Sequence, residues 1–275
     1  MDSVRRFLFE DLDIRGAIVA LGNTWHEMSV SRDLPPAVNA LLGELAAVTA
    51  LIAGNLKSPG RITFQLQGHG LVSLLLVDCD EQLRMRGTAR HAYAVPPAPT
   101  FRDLLGDGQL ALTLHTNVGN SYQSIVPLVG DSLTEVFEHY LVQSEQQPAK
   151  LFLTASEDFA GGLFLQKLPD ADHKDADGWN RLLHLAATLK PAELATPVAN
   201  LLMHLFPEEN IRLFDPRPVR YHCPRDEQKV LAMLKSLGRA EVEAALAEQG
   251  GIAVEDEICR QEYRFGLEIV PRLFD

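Results

Sequence analysis

The chain has 275 residues, of which 46% are hydrophobic and 23% charged, and its formal net charge is -12. That balance argues against wholesale disorder, against non-specific nucleic-acid binding through Lys and Arg, and against docking on an anionic membrane. The cysteine count of three is odd, which does not suit a secreted disulfide framework and fits a reducing cytoplasm. After Met1 the chain is briefly basic and then acidic, with no apolar stretch behind it, so no signal peptide is predicted. No apolar run is read as long enough to span a bilayer.

Phe7 to Leu21 reads as a strand pair, with Gly16 at a turn or bulge. Pro35 to Leu56 is the clearest helix. Val38, Leu41, Leu42, Leu45, Val48, Leu51 and Ile52 recur at helical spacing, with prolines in the first turn and Gly54-Asn55 at the end. Arg61 to Arg90 reads as a meander, with a turn at Gly68-His69-Gly70 and another at Asp78-Cys79-Asp80. Leu110, Leu112 and Leu114 alternate, and Tyr122 to Val129 gives a further strand. A helix from Ser132 to about Gln146 and strands at Leu151–Leu153 and Gly162–Leu168 complete a strand-rich α+β core over residues 1–170.

The acidic run from Pro169 marks a boundary. A helical linker over residues 171–218 follows, with Trp179, Leu182, Leu183, Leu185 and Leu189, then Leu194, Val198, Leu201, Leu202 and Leu205 as its apolar positions. Residues 219–275 form a small terminal α/β unit: helices at Asp226–Leu237 and Arg239–Gln249, then strands at Ile252–Val254 and Tyr263–Leu267. Cys223 and Cys259 lie in turn-like settings at either end of that helical pair and meet if the helices fold back. Thiols on two such segments are how small metal-stapled domains are built, but a tetrahedral site needs four ligands. The bland reading makes them two buried small hydrophobes. Cys79 is read as an ordinary free thiol, and Gly68-His69-Gly70 as a hairpin turn in place of a phosphate loop. The scattered histidines form no metal-binding helix motif, and Ser144 lacks the setting of a nucleophile elbow.

Several segments, in order, resemble the heat-shock protein 33 family of bacterial redox-regulated holdase chaperones. They are Arg6-Phe7-Leu8-Phe9 with Ile14-Arg15-Gly16, Phe64-Gln65-Leu66-Gln67-Gly68-His69-Gly70, Met85-Arg86-Gly87, and the run Tyr122 to Gly130. Gln143-Ser144-Glu145-Gln146, Ala160 to Gln166 with Leu168-Pro169, and Phe214-Asp215-Pro216 complete the set. The resemblance implies an α+β core, a helical linker and a C-terminal zinc-binding redox domain. It also implies ATP-independent holding of unfolding client proteins, and dimerisation of the active form. In the family, a Cys-x-Cys and a Cys-x-x-Cys bind zinc in the reduced state, and oxidation ejects it.

This chain departs from that pattern at the switch. Alignment on the family puts Arg225 and Asp256 where one cysteine of each pair belongs, and keeps Cys223 and Cys259 as the redox-switch thiols. A guanidinium offers no lone pair to a metal. An Arg225–Asp256 ion pair is expected to replace the ligands, worth about 0–1 kcal/mol against about 10–16 kcal/mol for a structural zinc site. Apolar packing by Val230, Leu234, Ile252, Ile258, Tyr263 and Phe265 is expected to offset the loss. Three states follow. The preferred one is metal-free and held by side-chain packing, with no cofactor. A second joins Cys223 to Cys259 in a disulfide that staples the unit. A third is a poor zinc site using Cys223, Cys259, Asp256 and His222. The expected protein is a cytoplasmic holdase, not an enzyme. Undocking of linker and tail under stress, above all heat, activates it, and it binds unfolded clients and neither nucleic acid nor membrane. The rivals are a thiol- or metal-dependent enzyme using Cys223 and Cys259, or a non-chaperone interaction protein.

Overall fold

Helix Pro36–Asn55 is the centre of the computed structural model, which describes residues 2–56, 60–116 and 121–275. Its mean hydropathy of 1.7 over a membrane-length window corrects the expectation that no segment has that character. It is nonetheless a core helix, with 72% of that window buried. Val38, Leu42, Leu45, Val48 and Leu51 are fully enclosed between two sheets, because an all-round apolar helix is stable in water only when covered on every side.

The first sheet runs Ile211–Leu213, Ser3–Phe9, Ile14–Leu21, Ala160–Lys167, Ala149–Ala155, antiparallel throughout. Strand side chains alternate between faces, and here both faces are apolar. Val4, Ala17, Val19, Leu21 and Phe164 join the main core with the long helix. Phe7, Phe9, Ile14, Ile18, Leu163 and Leu165 point the other way into a second core. Gly16 is not at a turn or bulge as expected; it lies in mid-strand opposite Phe7. A Cβ there would stand 2.2 Å from Phe7 Cζ, so glycine lets the Phe7 ring lie flat on its neighbour. The turn falls earlier, at Asp13, whose φ is +53°.

The second sheet runs Arg220–Tyr221, Arg84–His91, Val72–Cys79, Gly60–Gly68, Gly108–Thr116, Ser121–Pro127. Only its short first pair is parallel. Ile62, Phe64, Leu66, Leu75, Val77 and Leu110 face the long helix. Helix Leu133–Glu145 starts at Ser132, whose hydroxyl accepts from Glu135 N, and Phe137 packs edge-on against Phe64 at 4.9 Å. Cys79 ends a strand instead of sitting in a turn. It is a buried free thiol, and burial, then the adjacent carboxylates Asp80 and Asp78, push its pKa up. Both causes favour the neutral thiol over the nucleophilic thiolate.

The chain divides into two compact units, Met1–His222 and Cys223–Asp275. The helical segment expected as a linker belongs with the first. The second holds helices Glu227–Leu237 and Arg239–Gln249, the hairpin Ile252–Asp256/Gln261–Phe265, and a terminal helix Ile269–Phe274 that the sequence reading missed. Val230, Leu234, Val242, Leu246, Tyr263, Phe265, Ile269, Val270 and Leu273 make its core. Of the expected packing residues, Ile252 is at the margin and Ile258 stays outside that core.

Candidate functional site

The second unit is organised by a tight hairpin turn. Asp256 ends the first strand, and its Oδ1 accepts from Ile258 N at 2.9 Å and from Cys259 N at 3.1 Å. Arg260, at φ +53°, closes the turn with its N–H on Asp256 O. An aspartate that bonds its own downstream backbone is a common way to set such a turn. It holds Cys259 buried at the tip. From the other end of the unit, Cys223 is pinned by Gln261 Nε2 donating to its carbonyl at 2.8 Å. Tyr263 OH accepts from Asp226 N at 2.8 Å, where Asp226 caps helix Glu227–Leu237 through Lys229 N. These bonds bring the two cysteines together, and they form a disulfide with Cα atoms 5.6 Å apart.

Two expectations are corrected here. The preferred packing-only state gives way to the cross-linked one, although the apolar core is also present. Arg225 and Asp256 do not pair with each other. Arg225 lies over the Tyr263 ring, 4.6 Å from its centroid, and donates to Glu262 O at 2.9 Å. A planar cation is stabilised on an aromatic face, while Asp256 is already occupied by backbone N–H groups. The donor set does not suit a zinc ion. Two sulfurs are bonded to each other, Arg225 cannot ligate, and the accepting oxygen of Asp256 is engaged. His222 belongs to the first unit, where its backbone N–H bonds Met85 O. Among the described residues, no group of three His, Cys, Asp or Glu side chains is placed to hold a metal.

The helical segment supplies the second feature. Helices Gly178–Ala186 and Val198–Leu205 and the 3-10 turn Pro191–Ala195 cover the outer face of the first sheet. Leu182, Leu194, Leu201, Leu202 and Leu205 are buried there, and Trp179, Leu185, Leu189 and Val198 pack at its edge. Leu183, expected among them, does not join. Phe206, which the sequence reading did not single out, is fully buried and meets Phe9 edge-on at 5.1 Å. Its signal was present: it follows Leu201, Leu202 and Leu205 at helical spacing. Arg181 ties the segment down by pairing with Asp175 at 3.0 Å and Glu209 at 2.9 Å.

A two-sheet α+β body, a helical segment laid on one sheet and a small terminal unit together define the class: an α+β core with a helical cover and a disulfide-bearing tail. The chain belongs to the Hsp33 family, whose model, described as Hsp33 protein, matches residues 2–266. A 33 kDa chaperonin of Azotobacter vinelandii is 38% identical over 99% of this chain and 94% of its own length. Another, from Photobacterium profundum, is 37% identical over 96% and 92%. The crystal structure of the 33 kDa chaperonin from Thermotoga maritima superposes with a TM-score of 0.84, covering 98% of this chain and 97% of that one at 19% identity. That likeness establishes the shared fold.

Proposed function

We propose that this protein is an ATP-independent holdase that binds unfolding proteins in the cytoplasm through the apolar sheet face now covered by the helical segment. The observation that carries the reading is the second core. Phe7, Phe9, Ile14, Ile18, Leu163 and Leu165 form a continuous apolar face, and its cover consists of helices of nine and eight residues. Helices this short are marginal in water without tertiary packing, so the cover is the element that opens first on heating. The name 33 kDa chaperonin, borne by the relatives, supports the same reading, and an active form that dimerises accords with it. With the two sulfurs bonded to each other, Cys223 and Cys259 do not offer the free thiol that the thiol-dependent enzyme reading needs. No step of the proposed activity is routed through zinc, and protein purified under reducing conditions is expected to carry well under one zinc per chain by metal analysis.

The test is light scattering from a client unfolding on heating, with and without peroxide at fixed temperature. The chain is expected to suppress scattering as temperature rises through the opening of its helical cover, with no gain from peroxide. Suppression that appears only after peroxide would replace heat by oxidation as the trigger. No suppression at any temperature would remove the holdase reading.

A further inference from the structure

Strand Ser121–Pro127 is the last in the second sheet and, among the described residues, pairs only with Gly108–Thr116. Leu128 N donates to Gly108 O at 3.0 Å, and this fixes the phase of the ladder. In an antiparallel pair alternate residues exchange both backbone bonds. Tyr122, Ser124 and Val126 therefore turn their N–H and C=O groups inwards, and Ser121, Gln123 and Ile125 turn theirs to the open edge. Pro127, which has no N–H to lose, falls in the outward phase, where proline is tolerated.

Native sheets usually blunt such edges with charges or cover them. Towards the other side of this sheet, where the end strand Arg220–Tyr221 pairs with Arg84 and Met85 of Arg84–His91, the longer strand carries Arg84, Arg86 and Arg90. By contrast, Ser121 to Gly130 carries no charged side chain over ten residues, in a chain that is 23% charged. Tyr122 and Ile125 are 60% and 55% exposed along it. A cleft of about 500 Å³ continues from its end, lined by Gln67, Gln109, Ile125 and Pro127 together with His69 and the carboxylate-bearing Asp107.

We propose that this edge takes an extended, uncharged segment of an unfolded polypeptide as an added antiparallel strand. A row of outward N–H and C=O groups is satisfied as a set only by another extended backbone, with affinity from main-chain bonds and selectivity from the flanking side chains. The side chains of Ser121–Pro127 are neutral, so segments of alternating apolar and small polar residues pair with this strand without burying an unpaired charge along it. A second copy is the competing occupant, and sedimentation separates it from a client segment. The inference rests on the holdase reading for its biological meaning, and adds to it a site that is open before the helical cover moves.

The probe is a short, end-capped, dye-labelled peptide of alternating Val and Ser, titrated into the unheated full chain and followed by anisotropy and amide exchange. Binding is expected to slow exchange at Gln123 and Ile125. Gln123→Pro removes one outward N–H and keeps the ladder, so it is expected to weaken binding about fivefold, the net effect of one hydrogen bond. Ile125→Lys puts a charge beside the same groove and serves as the second variant; it is expected to weaken binding too. Wild-type affinity in both variants, or binding that leaves the exchange of Gln123 and Ile125 unchanged, overturns the proposal. So does a wild-type dimer in sedimentation that Gln123→Pro dissociates, since a second copy would then own the edge. A chain that binds the peptide here yet suppresses no client aggregation removes the holdase reading alone.

Discussion

Reducing the Cys223–Cys259 bond in the full chain is expected to destabilise the Cys223–Asp275 unit by about 3–4 kcal/mol, from the loop closed by a sequence separation of 36. In so small a unit each kcal/mol moves the melting temperature by about 4–8 °C. The tail transition should therefore fall by about 12 °C or more while the first unit keeps its own. The direction is opposite to the one implied by the family resemblance, in which oxidation opens the tail. Here oxidation is expected to close it, because one cysteine remains from each pair and the two are bonded to each other. The core of nine buried apolar side chains is modest for an independent unit, and small domains commonly need a staple to stand. Calorimetry with and without reductant reads the effect. The double variant Cys223→Ser with Cys259→Ser should melt like the reduced protein whether or not reductant is present. A tail that melts at the same temperature in all three samples would show that apolar packing alone holds it.

The contrast between what was and was not legible in the sequence is physical. Helix Pro36–Asn55 declares itself because its signals are local: helical apolar spacing, prolines in the first turn and a clean end. The meeting of Cys223 and Cys259 was legible because two helices joined at Gly238 fold back and return the chain to its start. Gly16 was misread because its cause is the Phe7 ring on the neighbouring strand, which local sequence does not display. Arg225 and Asp256 were paired because the family alignment puts both at lost ligand positions and their charges are opposite, whereas each has a nearer competitor: the Tyr263 ring and Glu262 carbonyl for one, the turn amides for the other. The terminal helix Ile269–Phe274 was missed because Pro271 interrupts a short pattern, although its Ile269, Val270 and Leu273 are buried. The acidic run after Pro169 marks where the helical segment begins; its leucines then bury themselves on the first sheet, and the compact unit continues to His222.

That burial sets up the other large effect. Leu182 is fully enclosed between its helix and the Phe7, Phe9, Ile14 and Ile18 face, and removing its side chain to Ala costs about 2–5 kcal/mol. A helix of nine residues has little stability of its own against such a loss, so the cost falls on attachment of the cover before it falls on the whole unit. Leu182→Asp is harsher, because a carboxylate there would be buried without a partner. It is expected to release the helical segment at a temperature where the wild type is closed. Three readouts should move together: binding of an apolar dye, proteolysis within residues 171–206, and suppression of client scattering without a heat step. A matched control separates exposure of this face from general weakening. Leu45→Ala removes a comparable side chain from the main core and is expected to lower the melting temperature without exposing the second core. If Leu45→Ala and Leu182→Asp hold clients equally well below their melting transitions, general instability is the cause and the covered face is not the client surface. If only Leu182→Asp does so, the cover acts as the gate, and the strength of its packing sets the temperature at which the chain begins to act.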